Sequence, residues 1–259
     1  MGKIIYNPSG KAGEYSYWAA NFYNGCSGDC SYCYMKKGPI ASHWSKAPKL
    51  KKTLLSSDTA KGIFSSELSS NLESLQKNGL FFNFNSDPFL HETIGLNLWA
   101  MQLCDQYSVP VKALTKQTWW ISKIPFSKNV CPGFTLTGHN EHELGCADNE
   151  ERIAAMFKLY QSGYKTWASI EPIIDVESSL KMIEMTKDFC YLYKIGPMSG
   201  KKYDHNELHR MFEIVSQMKG DFKVYWKDDF FVKSGIDSVM ANVPHRVGRN
   251  YKLWETQCQ

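Results

Sequence analysis

The chain of 259 residues is expected to be an α/β protein folded as a full or partial (β/α) barrel, with a doubly wound open sheet as the alternative. Three observations predict this. After residue 55, amphipathic helical segments alternate with short, almost wholly apolar runs. The runs recur roughly every 30 residues, room for one strand and one crossover helix, and unbroken apolarity suits parallel strands buried on both faces. Nearly every run also ends in polar or charged residues, which a barrel would gather at one mouth.

The strands are expected at Leu80 to Phe84, Val109 to Leu114, Phe134 to Leu136, Thr166 to Ile170, Tyr191 to Ile195 and Phe222 to Trp226, after an earlier one through Tyr17 to Tyr23. Their ends read Ser86-Asp87, Thr115-Lys116, Thr137 with His139, Ser169 with Glu171, Lys194 and Lys227. Among the helices, Asp148 with Glu151 and Asp204 with Glu207 have capping-box spacing, and Gly79, Gly163 and Gly220 stand where C-terminal caps belong. Phe64, Leu68, Leu72 and Leu75 share one helical face, as do Leu208, Met211, Phe212 and Val215. The stretch from Gly38 to Lys52 reads as an irregular loop.

Composition narrows the classes. With 43% apolar and 22% charged residues, disordered and fibrous chains are excluded. Thirty Lys and Arg against 26 Asp and Glu leave +4, with no basic tail, so nucleic acid is neither required nor excluded. No signal peptide is recognisable at Met1 to Ile5, and no apolar run approaches the roughly 20 residues of a membrane span. A cytoplasmic protein without membrane contact is expected.

Eight cysteines in such a chain point away from disulfides. Cys26, Cys30 and Cys33 are crowded into Cys26-Ser-Gly-Asp-Cys30-Ser-Tyr-Cys33, where Gly25 and Gly28 permit a tight turn, while Cys104, Cys131, Cys146, Cys190 and Cys258 are scattered. Structural zinc takes four protein ligands, and the nearby fourth candidate is His43. Three thiolates also suit a [4Fe–4S] cluster that keeps one iron open.

Cys-x3-Cys-x2-Cys with Tyr32 before its last cysteine resembles the signature of radical S-adenosylmethionine (radical SAM) enzymes. Lys11-Ala-Gly-Glu-Tyr-Ser16, Asn21-Phe-Tyr-Asn-Gly-Cys26, Asn85-Ser-Asp-Pro-Phe89 with Glu92, Leu114-Thr-Lys116, Glu150-Glu-Arg-Ile153 and Ser169-Ile-Glu-Pro172 resemble the branch related to spore photoproduct lyase. Tyr193-Lys-Ile-Gly196 and Tyr225-Trp-Lys227 are similar to phage-type radical SAM proteins of undetermined activity. The likeness runs over about residues 4 to 230.

The resemblance implies a partial (β/α)6-type TIM barrel over residues 1–230, with 231–259 as a C-terminal extension packed on it. It implies a [4Fe–4S] cluster and S-adenosylmethionine as cofactors, reductive cleavage to a 5′-deoxyadenosyl radical, and hydrogen abstraction from a small molecule or nucleic acid. An external electron donor such as flavodoxin or ferredoxin is implied too. Carried over by position, Cys26, Cys30 and Cys33 would ligate iron, and Tyr32 would lie against the adenine. Ser86 and Asp87 would face the methionyl amino group, Lys116 the carboxylate, and Thr137, Ser169 and Glu171 the ribose or methionyl end. Lys194 and Lys227 are the candidate catalytic residues.

Plainer readings accompany these. Ser86-Asp87-Pro88 also fits a strand-ending turn, Lys116 and Lys227 solvated surface charges, and Lys194 a snorkelling side chain. His139 and His142 with Glu141 and Glu143 have a metal-like composition but read as a solvated loop. Trp119-Trp120 fits core or a stacking platform. Where the lyases place a hydrogen-donor cysteine, this chain has Asn83-Phe84-Asn85, which speaks against thymine-dimer lyase activity. A non-catalytic module stabilised by zinc or a cluster is the remaining alternative.

Overall fold

The computed structural model describes residues 2–122, 127–239 and 242–255. The elements run β1 (Ile5–Tyr6), α1 (Gly10–Gly13), β2 (Ala19–Ala20), β3 (Tyr23–Asn24), β4 (Lys49–Leu50), α2 (Ser57–Ser70), α3 (Leu72–Asn78) and β5 (Leu80–Phe82). They continue as α4 (Ile94–Gln106), β6 (Val111–Thr115), β7 (Val130–Thr135), α5 (Asn149–Gln161), β8 (Trp167–Ile173), α6 (Val176–Thr186), β9 (Leu192–Pro197), α7 (His205–Gln217), β10 (Lys223–Trp226) and α8 (Asp228–Ser234).

Eight strands form one sheet in the order β1-β2-β5-β6-β7-β8-β9-β10. Among the described residues of this sheet, only β1 is antiparallel to its neighbour; from β2 onward every pairing in it is parallel and follows chain order. A doubly wound sheet would reverse its strand order at a switch point. None occurs here, so the architecture is the partial barrel, with seven parallel strands when β2 is included.

The two faces of the sheet make two cores. Leu80, Phe82, Val111, Ala113, Val130 and Ala168 point outward and join Phe64, Leu68, Met156, Ile183 and Met211 from the helices. Ala19, Phe81, Cys131, Trp167, Leu192 and Tyr225, on the other parity, fill the barrel interior with Tyr15 and Leu253. Each fully buried Phe or Leu contributes about 2 kcal/mol relative to exposure. Register sets the interior in layers: Lys112 lies between Phe81 and Cys131, and two layers higher Ser169 pairs with Lys194 and Lys194 with Tyr225.

Several expected elements differ. The run Tyr17 to Tyr23 is divided: Ala19–Ala20 enters the barrel, whereas Tyr23–Asn24 leaves it to pair with Lys49–Leu50 inside the stretch expected to be irregular. The helical stripe from Phe64 to Leu75 spans two helices broken at Asn71. Strand β7 begins at Val130 rather than Phe134, through a Pro-Gly pair that reads as a turn. Its first register pair with β8 is Gly133 with Trp167, so Pro132 precedes that ladder and Gly133 makes room for the indole. Gly220 falls beyond the end of α7, whose C-cap is Met218. Beyond β10, Arg246 bridges to Val224, and Leu253 is buried in the interior core.

Candidate active site

The cysteine loop follows β3 and is tied down on both sides. Cys26 N–H donates to Ser45 O at 2.9 Å, Ser31 N–H to His142 O at 2.9 Å, and Gly145 N–H to Gly28 O at 3.1 Å. Gly25 has φ +91°, and a Cβ there would stand 2.5 Å from Ser45 O, so the turn requires glycine. The loop overlies a cavity of about 510 Å³ at the C-terminal ends of the parallel strands. Cys26, Cys30, Cys33, Tyr32, Ser86, Asp87, Lys116, Ser169, Glu171 and Lys227 all line it. A more open cleft of about 720 Å³ beside α7 and His245 holds none of these residues.

Asp87 ties two strand ends together. Its carboxylate accepts from Phe89 N–H at 2.9 Å, Thr115 hydroxyl at 2.7 Å and Lys116 N–H at 2.8 Å. Those bonds use three of its roughly four acceptor positions. Burial nevertheless pushes its carboxyl up from the ordinary value. Beside it, Ser86 Oγ and Asn83 Oδ1 are buried without a protein hydrogen-bond partner, although both residues line the cavity. Buried polar atoms left open at a cavity wall fit a polar ligand.

The cation above them is Lys116. Burial works against its charge, but Cys30, Tyr32, Glu143 and Cys146 outweigh that and hold the ammonium well above its usual range. It stands 5.6 Å from the centre of the Tyr32 ring. The Tyr32 hydroxyl donates to Glu143, a residue expected in a solvated loop but only 2% exposed. Glu143 is buried because Arg152 of α5, also fully buried, pairs with it at 2.7 Å. Thr137, not among the lining residues, donates to the same carboxylate at 3.2 Å.

A second polar group occupies the opposite wall. Tyr15 donates to Glu171 at 2.5 Å and meets Ser169 Oγ at 2.7 Å. Lys227, only 2% exposed, reaches both Glu171 oxygens at 2.8 and 2.9 Å and Glu14 at 3.4 Å. The reading of Lys227 as a solvated charge therefore gives way to a buried ion pair. Lys194 does not line the cavity; it donates to the carbonyls of Glu14 at 2.5 Å and Tyr15 at 3.1 Å. Lys112 bonds the Tyr15 carbonyl from the other side at 2.6 Å. Sequence pattern assigns no such role to Glu14, Tyr15, Asn83, Glu143 or Arg152, although Glu14-Tyr15 and Arg152 stand inside the lyase-like segments.

The thiols differ from one another. Burial, then the Asp87 charge, pushes Cys26 up to about 12, and burial also raises Cys33. A hydrogen bond from Cys146 lowers Cys30 to about 6. Among the described residues, the group of three ligand atoms mutually within 4.8 Å is His139, Glu141 and His142, partly exposed beside the cysteine loop. The sulfurs of Cys26, Cys30 and Cys33 do not all lie that close to one another. A tetrahedral zinc–thiolate centre would bring sulfurs to about 3.8 Å from one another, whereas a cubane holds them farther apart. The donor set fits a cluster. His43's side chain and Cys258 lie outside the described residues.

No family model matches the sequence, and no curated protein matches it. Solved structures do. A double mutant of spore photoproduct lyase with bound AdoMet and dinucleoside spore photoproduct superposes with TM-score 0.56 at 16% identity, covering 79% of this chain and 62% of that one. SuiB of Streptococcus suis bound to S-adenosylmethionine gives TM-score 0.57 at 13% identity, over 83% of this chain and 51% of SuiB. The chain thus spans less than two thirds of either neighbour. Both are radical SAM enzymes, and the fold of this chain is the partial TIM barrel that they share.

Proposed function

We propose that this chain, with the radical SAM fold as its premise, is a radical SAM enzyme acting on a substrate held in the 510 Å³ cavity. The observation that carries the reading is the convergence of three cysteine sulfurs with the unpartnered Ser86 Oγ and Asn83 Oδ1 on that cavity. Cys26, Cys30 and Cys33 would hold a [4Fe–4S] cluster and leave one corner for S-adenosylmethionine. When bound, this pair supplies one-electron reductive cleavage to a 5′-deoxyadenosyl radical.

The protein's share is binding and orientation. Ser86 and Asn83 accept from the methionyl ammonium, with Asp87 adding negative charge behind them. Lys116 pairs with the methionyl carboxylate, and Tyr32, fixed by Glu143, borders the adenine. Thr137 acts through Glu143. Ser169 and Glu171 offer acceptors to the ribose, and Lys227 with Glu171 holds a proton at the cavity wall for the substrate. Lys194 positions the backbone of Glu14 and Tyr15. Residues 1–230 form the catalytic barrel and 231–259 its extension.

Anaerobic reconstitution should give a brown protein that yields 5′-deoxyadenosine with dithionite and S-adenosylmethionine. Replacing Cys26, Cys30 and Cys33 by Ala should abolish the colour and the product. A colourless protein with one zinc per chain would instead support the non-catalytic module.

A second reading makes the substrate a nucleic acid. Lys11, Lys37 and Trp44 line the same cavity, a cationic and aromatic combination suited to a phosphate backbone and a stacked base. The lyase neighbour's dinucleoside ligand favours it. Binding that weakens steeply with added salt would support this substrate class. A cytoplasmic setting with flavodoxin or ferredoxin as electron donor completes the proposal; among the described residues no helix is long and apolar enough to cross a membrane.

A further inference from the structure

We infer that Cys146 is a fourth thiolate of the cluster site, holding the corner left by Cys26, Cys30 and Cys33 until S-adenosylmethionine takes it. The inference rests on the radical SAM reading and adds a residue that sequence spacing does not connect with the others. Cys146 lies more than 100 positions from the motif, yet its sulfur stands 3.9 Å from Cys30 Sγ and 3.5 Å from Gly28 O. A Cβ on Gly28 would meet Cys146 Sγ at 3.0 Å and Cys26 Sγ at 3.3 Å, so both sulfurs crowd the same glycine.

The placement is built by backbone. Cys146 N–H donates to Glu143 O at 2.9 Å, Gly145 N–H to Gly28 O at 3.1 Å, and Ala147 N–H to Lys116 O at 3.0 Å. The loop is thereby fastened to the cysteine loop on one side and to the end of β6 on the other. Cys104, Cys131 and Cys190 are buried in the apolar cores, whereas Cys146 is partly exposed and lines the cavity with the three motif cysteines. One rotamer step about Cα–Cβ carries a cysteine sulfur about 3 Å. A step of that size is enough to separate Cys146 from Cys30 as two corners of a cluster require.

Charge supports the exchange. Lys116 faces Cys30 and Cys146 and is also the cation offered to the methionyl carboxylate. As an iron ligand Cys146 would be a thiolate, and exchanging it for that carboxylate would substitute one anion for another beside the same ammonium. A soft thiolate is also a better iron ligand than water, which gives the corner a defined occupant between catalytic cycles.

The test compares wild type with Cys146→Ser, both reconstituted anaerobically without S-adenosylmethionine and then mildly oxidised with ferricyanide. Iron content and the EPR signal of a three-iron cluster are read. An iron without a thiolate is the one lost on oxidation, so Cys146→Ser should lose its fourth iron and give at least five-fold more three-iron signal. S-adenosylmethionine added before oxidation should protect the variant to the wild-type level. The variant should also bind the cofactor several-fold more tightly, having no thiolate to displace. Equal three-iron signals from two brown proteins would overturn this inference and leave the radical SAM reading standing; two colourless proteins would remove both.

Discussion

The hydroxyl of Tyr32, between two motif cysteines, donates to Glu143, a carboxylate delivered by the loop after β7 and held there by Arg152 at 2.7 Å. The cysteine loop is thus anchored through a side chain to a buried ion pair on the far side of the mouth. Breaking such a pair from one end leaves a charge without compensation, at about 3–5 kcal/mol. Glu143→Ala should lower stability in urea by that order, and the added Arg152→Met should restore more than half. If the single variant unfolds like wild type, the pair does not anchor the loop.

Lys227 is positioned by a close approach of backbone. A Cβ on Gly196 would fall 2.7 Å from Lys227 Cδ and 3.1 Å from Glu171 Cδ, so only glycine at the end of β9 leaves the Lys227–Glu171 pair undisturbed. Gly196→Ala and Lys227→Met should each slow 5′-deoxyadenosine formation at least ten-fold. Cluster iron should stay at the wild-type level, because neither residue touches the cysteine loop. Loss of iron in step with activity would show a general collapse rather than a role at this wall.

Much of this site was legible in the sequence because strands have period two and barrels collect their strand ends. Ser169 and Glu171 stand two apart on β8 and share the interior face, and Ser86, Asp87 and Lys116 follow β5 and β6 as expected. What the sequence concealed depends on contacts between distant loops. Glu143 in a run of His and Glu looks solvated until Arg152, one helical turn into α5, is known to face it. Cys146 carries no spacing signal at all. Pro132-Gly133 reads as a turn because the demand for glycine comes from Trp167 on the neighbouring strand. The role of Lys194 depends on the Glu14-Tyr15 backbone crossing the barrel interior, a path no local pattern reports.

That crossing makes stability depend on pH through Lys112. Its ammonium is fully buried against the Tyr15 carbonyl at 2.6 Å, and burial pulls it from the ordinary 10.5 down to about 8, with the Cys131 charge acting weakly in the opposite sense. Between those values the unfolded chain binds the proton that the folded protein gives up. Unfolding therefore takes up protons, and the Lys112 contribution to stability grows as pH rises through this window and is lost as pH falls through about 8. A fully depressed group changes stability by about 1 kcal/mol per pH unit there. Tyrosines and thiols ionising in the same range act in the opposite direction, so the measurement has to be a difference. Wild type minus Lys112→Met, from urea unfolding at pH 7.5, 8.5 and 9.5, should climb steadily in favour of wild type. A flat difference would mean that Lys112 keeps its proton in the fold and that the Tyr15 carbonyl binds an ammonium rather than an amine.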